Sequence, residues 1–139
     1  MPYAQLSDMV QRFGESELIA VTTPKGQPRE RIDTDKVQAA LSDASDVIDS
    51  YLRRQYALPL STPSPALVRV CCVLARYSLN STSETKPTEQ MDTDVKRAMA
   101  WLSDIGKGNA TLDGDEAPNL GTSFSRVQGR RPAYNGGAF

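Results

Sequence analysis

Residues Asp33–Leu60 read DTDKVQAALSDASDVIDSYLRRQYALPL, and the spacing within them decides the fold. Asp33 and Thr34 can each cap a helix, Asp35 suits its first turn, and no Gly or Pro intervenes before Pro59. Val37, Ala40, Leu41, Ala44, Ile48, Tyr51 and Leu52 recur every three or four residues, one stripe on an α-helix. The spacing predicts a helix over 34–56, a rod roughly 30 Å long at ~1.5 Å per residue. A Leu-Pro-Leu corner follows. Asp43, Asp46 and Asp49 occupy its polar side. They can be read as a carboxylate cluster for metal or acid/base work, or as a solvated acidic face. Steps of three residues turn around the helix, so the three do not converge closely, and the solvated face is the favoured reading. Asp49 can pair with Arg53 at i, i+4, and Arg53 and Arg54 complement the helix C-terminus.

On the N-terminal side, Tyr3, Leu6, Val10 and Phe13 predict a first helix over 4–13, with Pro2-Tyr3 geometry at its start and Gly14 at its end. A short second helix is expected over 16–21, with Glu15 and Glu17 at its positive end. Residues 22–32 hold Pro24, Gly26 and Pro28 among Lys25, Arg29, Glu30 and Arg31, an exposed loop that joins this hairpin to the rod.

On the C-terminal side, Pro59, Pro63 and Pro65 make a stiff extended connection. Ser64 can cap the next helix with Pro65 at its first position. That helix, over 65–80, is apolar nearly all round except at Arg69 and Arg76, which suits the centre of a bundle. The two arginines share a face and are candidates for pairing with aspartates of the rod or with a neighbouring subunit. Thr88 can cap a further helix with the stripe Met91, Val95, Ala98, Met99, Leu102 and Ile105, Trp101 at its edge, and Gly106 and Gly108 at its end.

From Asn109 the composition changes to Gly, Pro and isolated apolar residues. No helical period continues, and after Glu116 there are arginines but no carboxylate. Such a segment is either a linker or a partner-binding arm. Spaced aromatics favour the arm, with Phe124, Arg126, Val127, Arg130, Arg131, Tyr134 and Phe139 as its candidate contacts. The expected fold is all-α: a small bundle of about four main helices over 1–108 and an extended C-terminal arm over 109–139.

Composition narrows the function. Sixteen basic and 17 acidic residues give a net charge of -1, which argues against a dedicated nucleic-acid binder. There is no histidine, and no paired catalytic group, phosphate-binding Gly loop or metal constellation stands out, so neither an enzyme nor a cofactor is expected. Cys71 and Cys72 are adjacent and read as small core hydrophobes in a reducing compartment. MPYAQLSDMV lacks the pattern of a signal peptide, and no apolar run reaches the ~20 residues of a membrane span.

Several segments also carry a resemblance. Tyr3, Asp8-Met9-Val10, Arg12-Phe13-Gly14-Glu15 and Glu17-Leu18 open the chain. Ala40-Leu41-Ser42-Asp43-Ala44-Ser45, Ile48-Asp49-Ser50-Tyr51-Leu52 and Tyr56-Ala57-Leu58-Pro59-Leu60 form its centre. Leu74-Ala75-Arg76-Tyr77-Ser78-Leu79, Ala98-Met99-Ala100-Trp101-Leu102 and Gly106-Lys107-Gly108 follow. In order and spacing these resemble the Mu-type phage head–tail connector family over residues 3–112, with the centre most specific and the tail matching only loosely. The resemblance implies a virion neck protein without catalytic activity, made in the host cytoplasm. It implies a homo-oligomeric ring, a dodecamer if it matches portal symmetry, beneath the portal protein. Such a ring extends the DNA channel toward a downstream neck or tail-completion protein, with the C-terminal arm gripping the portal. Genomic DNA would pass through the lumen without sequence-specific binding, and Asp43, Asp46 and Asp49 are candidates for a negative channel wall. The competing expectations are a small helical DNA-binding regulator and another neck component, a head-closure or tail-terminator protein, which tends toward β-rich folds.

Overall fold

The computed structural model describes residues 2–60, 63–83 and 85–112. Five helices follow one another: α1 (Leu6–Phe13), α2 (Glu15–Thr22), α3 (Thr34–Leu52), α4 (Pro65–Ser81) and α5 (Glu89–Lys107). Among the described residues there is no strand. The all-α expectation holds, as three long helices and a short hairpin.

Local chemistry sets most helix starts. The Asp33 side chain accepts from the Lys36 N–H, the Ser64 hydroxyl from Leu67 with Pro65 at the first position, and the Thr88 hydroxyl from Met91. Each cap satisfies a backbone donor that the helix itself leaves open. α1 differs from expectation. It starts at Leu6, and the Asp8 carboxylate reaches back to accept from the Gln5 N–H at 2.8 Å. Gly14, at φ +89°, ends α1 and opens α2, a conformation that a side chain would strain.

Two helix ends depart from the sequence reading for tertiary reasons. The rod was expected to reach Tyr56, but α3 stops at Leu52. Gln55 N–H bonds to Leu52 O at 2.9 Å, tightening the last turn, and this swings Tyr56 into the core at 2% exposure. Gly106 and Gly108 were both expected at the end of α5, and the two divide. Gly106 lies inside the last turn, buried against α3, where a Cβ would sit 3.3 Å from the Tyr51 carbonyl oxygen. Gly108, at φ +83°, is the terminator. Packing then continues: the Leu112 N–H donates to the Tyr56 hydroxyl at 2.9 Å and the Leu112 side chain is buried.

The core lies around α4. α3 and α4 share the most extensive seam, α5 packs on both, α1 also touches both, and α2 packs on α4. Leu41 and Ile48 of α3, Leu67 and Val70 of α4, Leu102 and Ile105 of α5, and Met9 and Leu18 of the hairpin are all essentially inaccessible. Trp101 sits half-buried at the core's edge.

Polar ties fix the pieces that apolar packing leaves free. Thr22 is fully buried; its hydroxyl donates to Leu18 O at 2.7 Å and accepts from Asp33 N–H at 3.0 Å, closing the 22–32 loop at its base. The N-terminus is latched to α3: Tyr3 N–H donates to the Ser45 hydroxyl at 2.9 Å, and the Tyr3 phenol donates to the Asp49 carboxylate. Burial, and then that carboxylate, push the Tyr3 phenol well above the usual tyrosine range. Cys71 and Cys72 are free, buried thiols. Burial is the main cause that pushes the Cys72 thiol up to about 12 and raises Cys71 as well. Both are therefore packing groups rather than nucleophiles.

Four outcomes follow from this packing. Ile48→Ala removes a fully buried side chain and should cost about 2–5 kcal/mol by denaturant titration. Tyr3→Phe deprives Asp49 of a hydrogen bond and should cost about 1–2 kcal/mol in the same measurement. The raised thiol and phenol groups favour their neutral forms when folded. Their contribution is complete below the unfolded thiol range near ~8.5 and is lost as pH climbs toward the raised values. Thermal stability should therefore decline from about pH 9 upward, and the native thiols should resist alkylation at pH 8 until denaturant is added.

Candidate functional site

The chain's chemistry is arranged as surfaces. The three aspartates of α3 divide. Asp43 and Asp46 are exposed, whereas Asp49 is half-buried and engaged by Tyr3. Each step of three residues turns the helix by about -60°, so the series sweeps from the outer face toward the flank, and Asp49 falls on that flank. The expected Asp49–Arg53 side-chain pair is replaced by two different bonds. Tyr3 takes the carboxylate, and Arg53 Nε donates to the Asp49 backbone carbonyl at 3.3 Å. Asp43 and Asp46 lie just before Val47, the one large hydrophobic residue that is exposed among the described residues. Asp43 also borders a cleft of about 620 Å³ beside Lys25 and Lys36. Lys36 itself turns toward the hairpin, where its Nζ donates to the Thr22 carbonyl at 3.2 Å.

Arg69 and Arg76 were expected on one face of α4, as candidates for pairing with aspartates of the rod or with a neighbouring subunit. Arg76 pairs with Glu17 of α2, not with the rod: Nε to Oε2 is 2.8 Å and Nη2 to Oε1 is 2.7 Å. Its guanidinium lies 4.3 Å from the centre of the Phe13 ring. This forked, stacked contact docks the hairpin onto α4. With both partners about a quarter exposed (24% and 26%), it contributes only about 1 kcal/mol. Arg69 points outward.

Arg69 belongs instead to a groove of about 370 Å³ between α1, α4 and α5. Arg12, Arg69 and Arg97 line it over a floor of Phe13 and Val73. Asp94 also borders it, with its Oδ1 accepting from Gln90 Nε2 at 2.9 Å. Sequence reading missed this arginine cluster, because its members come from three helices and no local spacing links them. The outward register of Arg69 on an otherwise apolar helix was the available signal.

A second cleft, of about 490 Å³, lies between the N-terminal latch and the Leu-Pro-Leu corner, lined by Tyr3, Asp49, Arg53, Leu58 and Pro59 among others. Next to α5, an Asp92 hydrogen bond and charge raise the Tyr77 phenol above its ordinary range. No group of three or more metal-ligating side chains converges among the described residues. No helix among them is long and apolar enough to cross a membrane. The candidate arm residues Phe124, Arg126, Val127, Arg130, Arg131, Tyr134 and Phe139 lie outside the described residues.

Comparison with known proteins bears on these surfaces. The family model described as Bacteriophage Mu, Gp36 matches residues 3–128. Gene product J of Escherichia phage Mu is 36% identical over 141 residues, spanning 97% of this chain and 95% of that protein. The Mu-like prophage FluMu protein gp36 of Haemophilus influenzae is 36% identical over 118 residues, spanning 82% of this chain and 79% of its own length. The family match covers all five helices and runs on past Leu112. With a match of that extent and two relatives of that coverage, the chain belongs to the Bacteriophage Mu Gp36 family.

Proposed function

We propose that this protein is a non-enzymatic head–tail adaptor of a Mu-type phage: a ring of copies beneath the portal that extends the DNA channel and joins head to tail. The observation that carries the reading is the family match, which spans the helical bundle and continues to residue 128. The shared region thus includes Phe124, Arg126 and Val127 of the proposed portal-binding arm. The bundle suits a rigid wedge, since three long helices bury a continuous core and the hairpin is clamped by Arg76–Glu17.

The mechanism is physical. Each bundle holds its place by side-to-side contact with the next, and each arm adds one weak grip on the portal. Multiplied around a ring, weak grips become a lasting attachment, because release requires all of them to let go together. The channel must pass DNA without holding it, which a near-neutral or acidic wall favours over a basic one. Of the three candidate aspartates, Asp49 is engaged by Tyr3 and largely withdrawn from such a wall, whereas Asp43 and Asp46 are exposed.

The helical content of the described residues weighs against a β-rich head-closure or tail-terminator protein. A DNA-binding regulator would bind duplex DNA tightly and with a steep salt dependence. The adaptor reading expects weak binding from the isolated chain.

Deleting Thr122–Phe139 should leave the helical circular dichroism signal intact and abolish co-sedimentation with purified portal. A truncated chain that still sediments with portal would overturn the role given to the arm.

A further inference from the structure

We propose that neighbouring copies of this chain join head to tail, the acidic outer face of α3 on one copy seating against the arginine-lined groove of the next. The contact rests on the ring reading above and specifies how that ring closes. It uses the outer α3 face at the subunit junction, which withdraws Asp43 and Asp46 from the channel wall.

The two faces lie on opposite sides of the α3–α4 pair. At the seam, the Cys71 thiol of α4 lies 3.5 Å from the Ser45 hydroxyl and 3.8 Å from the Leu41 carbonyl oxygen of α3. Arg69 and Val73 each stand two residues from Cys71, about 200° around α4, and so face away from the seam. Asp43 stands two residues from both Leu41 and Ser45, and Val47 two from Ser45, so these face away from it on α3. Two different faces on opposite sides of one subunit are what a closed ring requires, because a cyclic assembly repeats a heterologous contact. A single self-complementary face would stop at a dimer.

The faces also match chemically. The groove presents Arg12, Arg69 and Arg97 against one carboxylate, Asp94, which Gln90 already engages. Its floor is apolar, with Phe13 and Val73 half-buried. The α3 face presents Asp43 and Asp46 beside the exposed Val47, with Asp43 one turn before it on nearly the same line of the helix. Seating Val47 over that floor sets an apolar contact next to the paired charges, a combination that protein interfaces use. Among the described residues, none of the three arginines and neither aspartate forms an ion pair within the subunit.

Charge reversal tests the contact on the full chain. Two double variants are made, one carrying Arg69→Glu and Arg97→Glu, the other Asp43→Arg and Asp46→Arg. All four positions are exposed, so circular dichroism should be unchanged in both. Ring assembly is read by analytical ultracentrifugation, alone and beside purified portal. Each variant should form rings at least ~10-fold less than the wild-type chain, because like charges now meet at every junction. An equimolar mixture of the two should recover them, since alternating copies make every junction complementary again, and added salt should weaken the wild-type ring. Rings that survive either reversal would overturn the contact and leave the adaptor reading standing. Loss without recovery on mixing would overturn it as well. A wild-type chain that stays monomeric at every concentration and beside portal would overturn both.

Discussion

Leu41 and Ser45 on α3 meet Cys71 on α4, and the seam they mark fixes where everything else can go. Cys71 sits at a point where the two helices approach closely, and a larger side chain there would push them apart. Ser45 serves both sides of this contact. Its hydroxyl donates to the Leu41 carbonyl at 2.8 Å and accepts from Tyr3 N–H, so the same residue satisfies its own helix and latches the N-terminus. With α3 and α4 held in that register, Gly106 admits the Tyr51 carbonyl against α5, and Tyr56 turns inward to receive Leu112. The buried polar groups along this path are paired, which keeps the packing specific at little cost.

The seam also orients the chemistry. Whatever faces it on α3 is apolar or small, so the aspartates are displaced to the outside or the flank. Whatever faces it on α4 is likewise apolar, so Arg69 projects from the opposite side. A subunit built this way is electrically asymmetric even though its net charge is only -1. Composition could not reveal that asymmetry, because a sum of charges carries no direction.

Much of the bundle was legible because its signals are local. Asp33, Ser64-Pro65 and Thr88 start helices through bonds that span three residues, and the stripe from Val37 to Leu52 turns inward as its spacing requires. What was not legible depends on partners distant in sequence. The end of α3 is set by where Tyr56 and Leu112 meet, 56 residues apart. Gly106 looks like a helix stop until the Tyr51 carbonyl is placed beside it. Arg76 finds Glu17 rather than an aspartate of the rod, because the hairpin folds back across α4. Asp49 loses its expected local partner to Tyr3, 46 residues away. The arginine groove is drawn from α1, α4 and α5, so only the assembled bundle brings it together. The residues proposed for the arm lie outside the described residues.

The ring itself is the claim on which the functional account turns. A reconstruction of the neck in assembled phage particles, at a resolution that traces helices, tests it most directly. The account predicts copies of this bundle in a closed ring directly beneath the portal, with α3 of each beside the α1–α4–α5 groove of the next. Finding the chain absent from the neck, or bound there as a single copy off the channel axis, would contradict it.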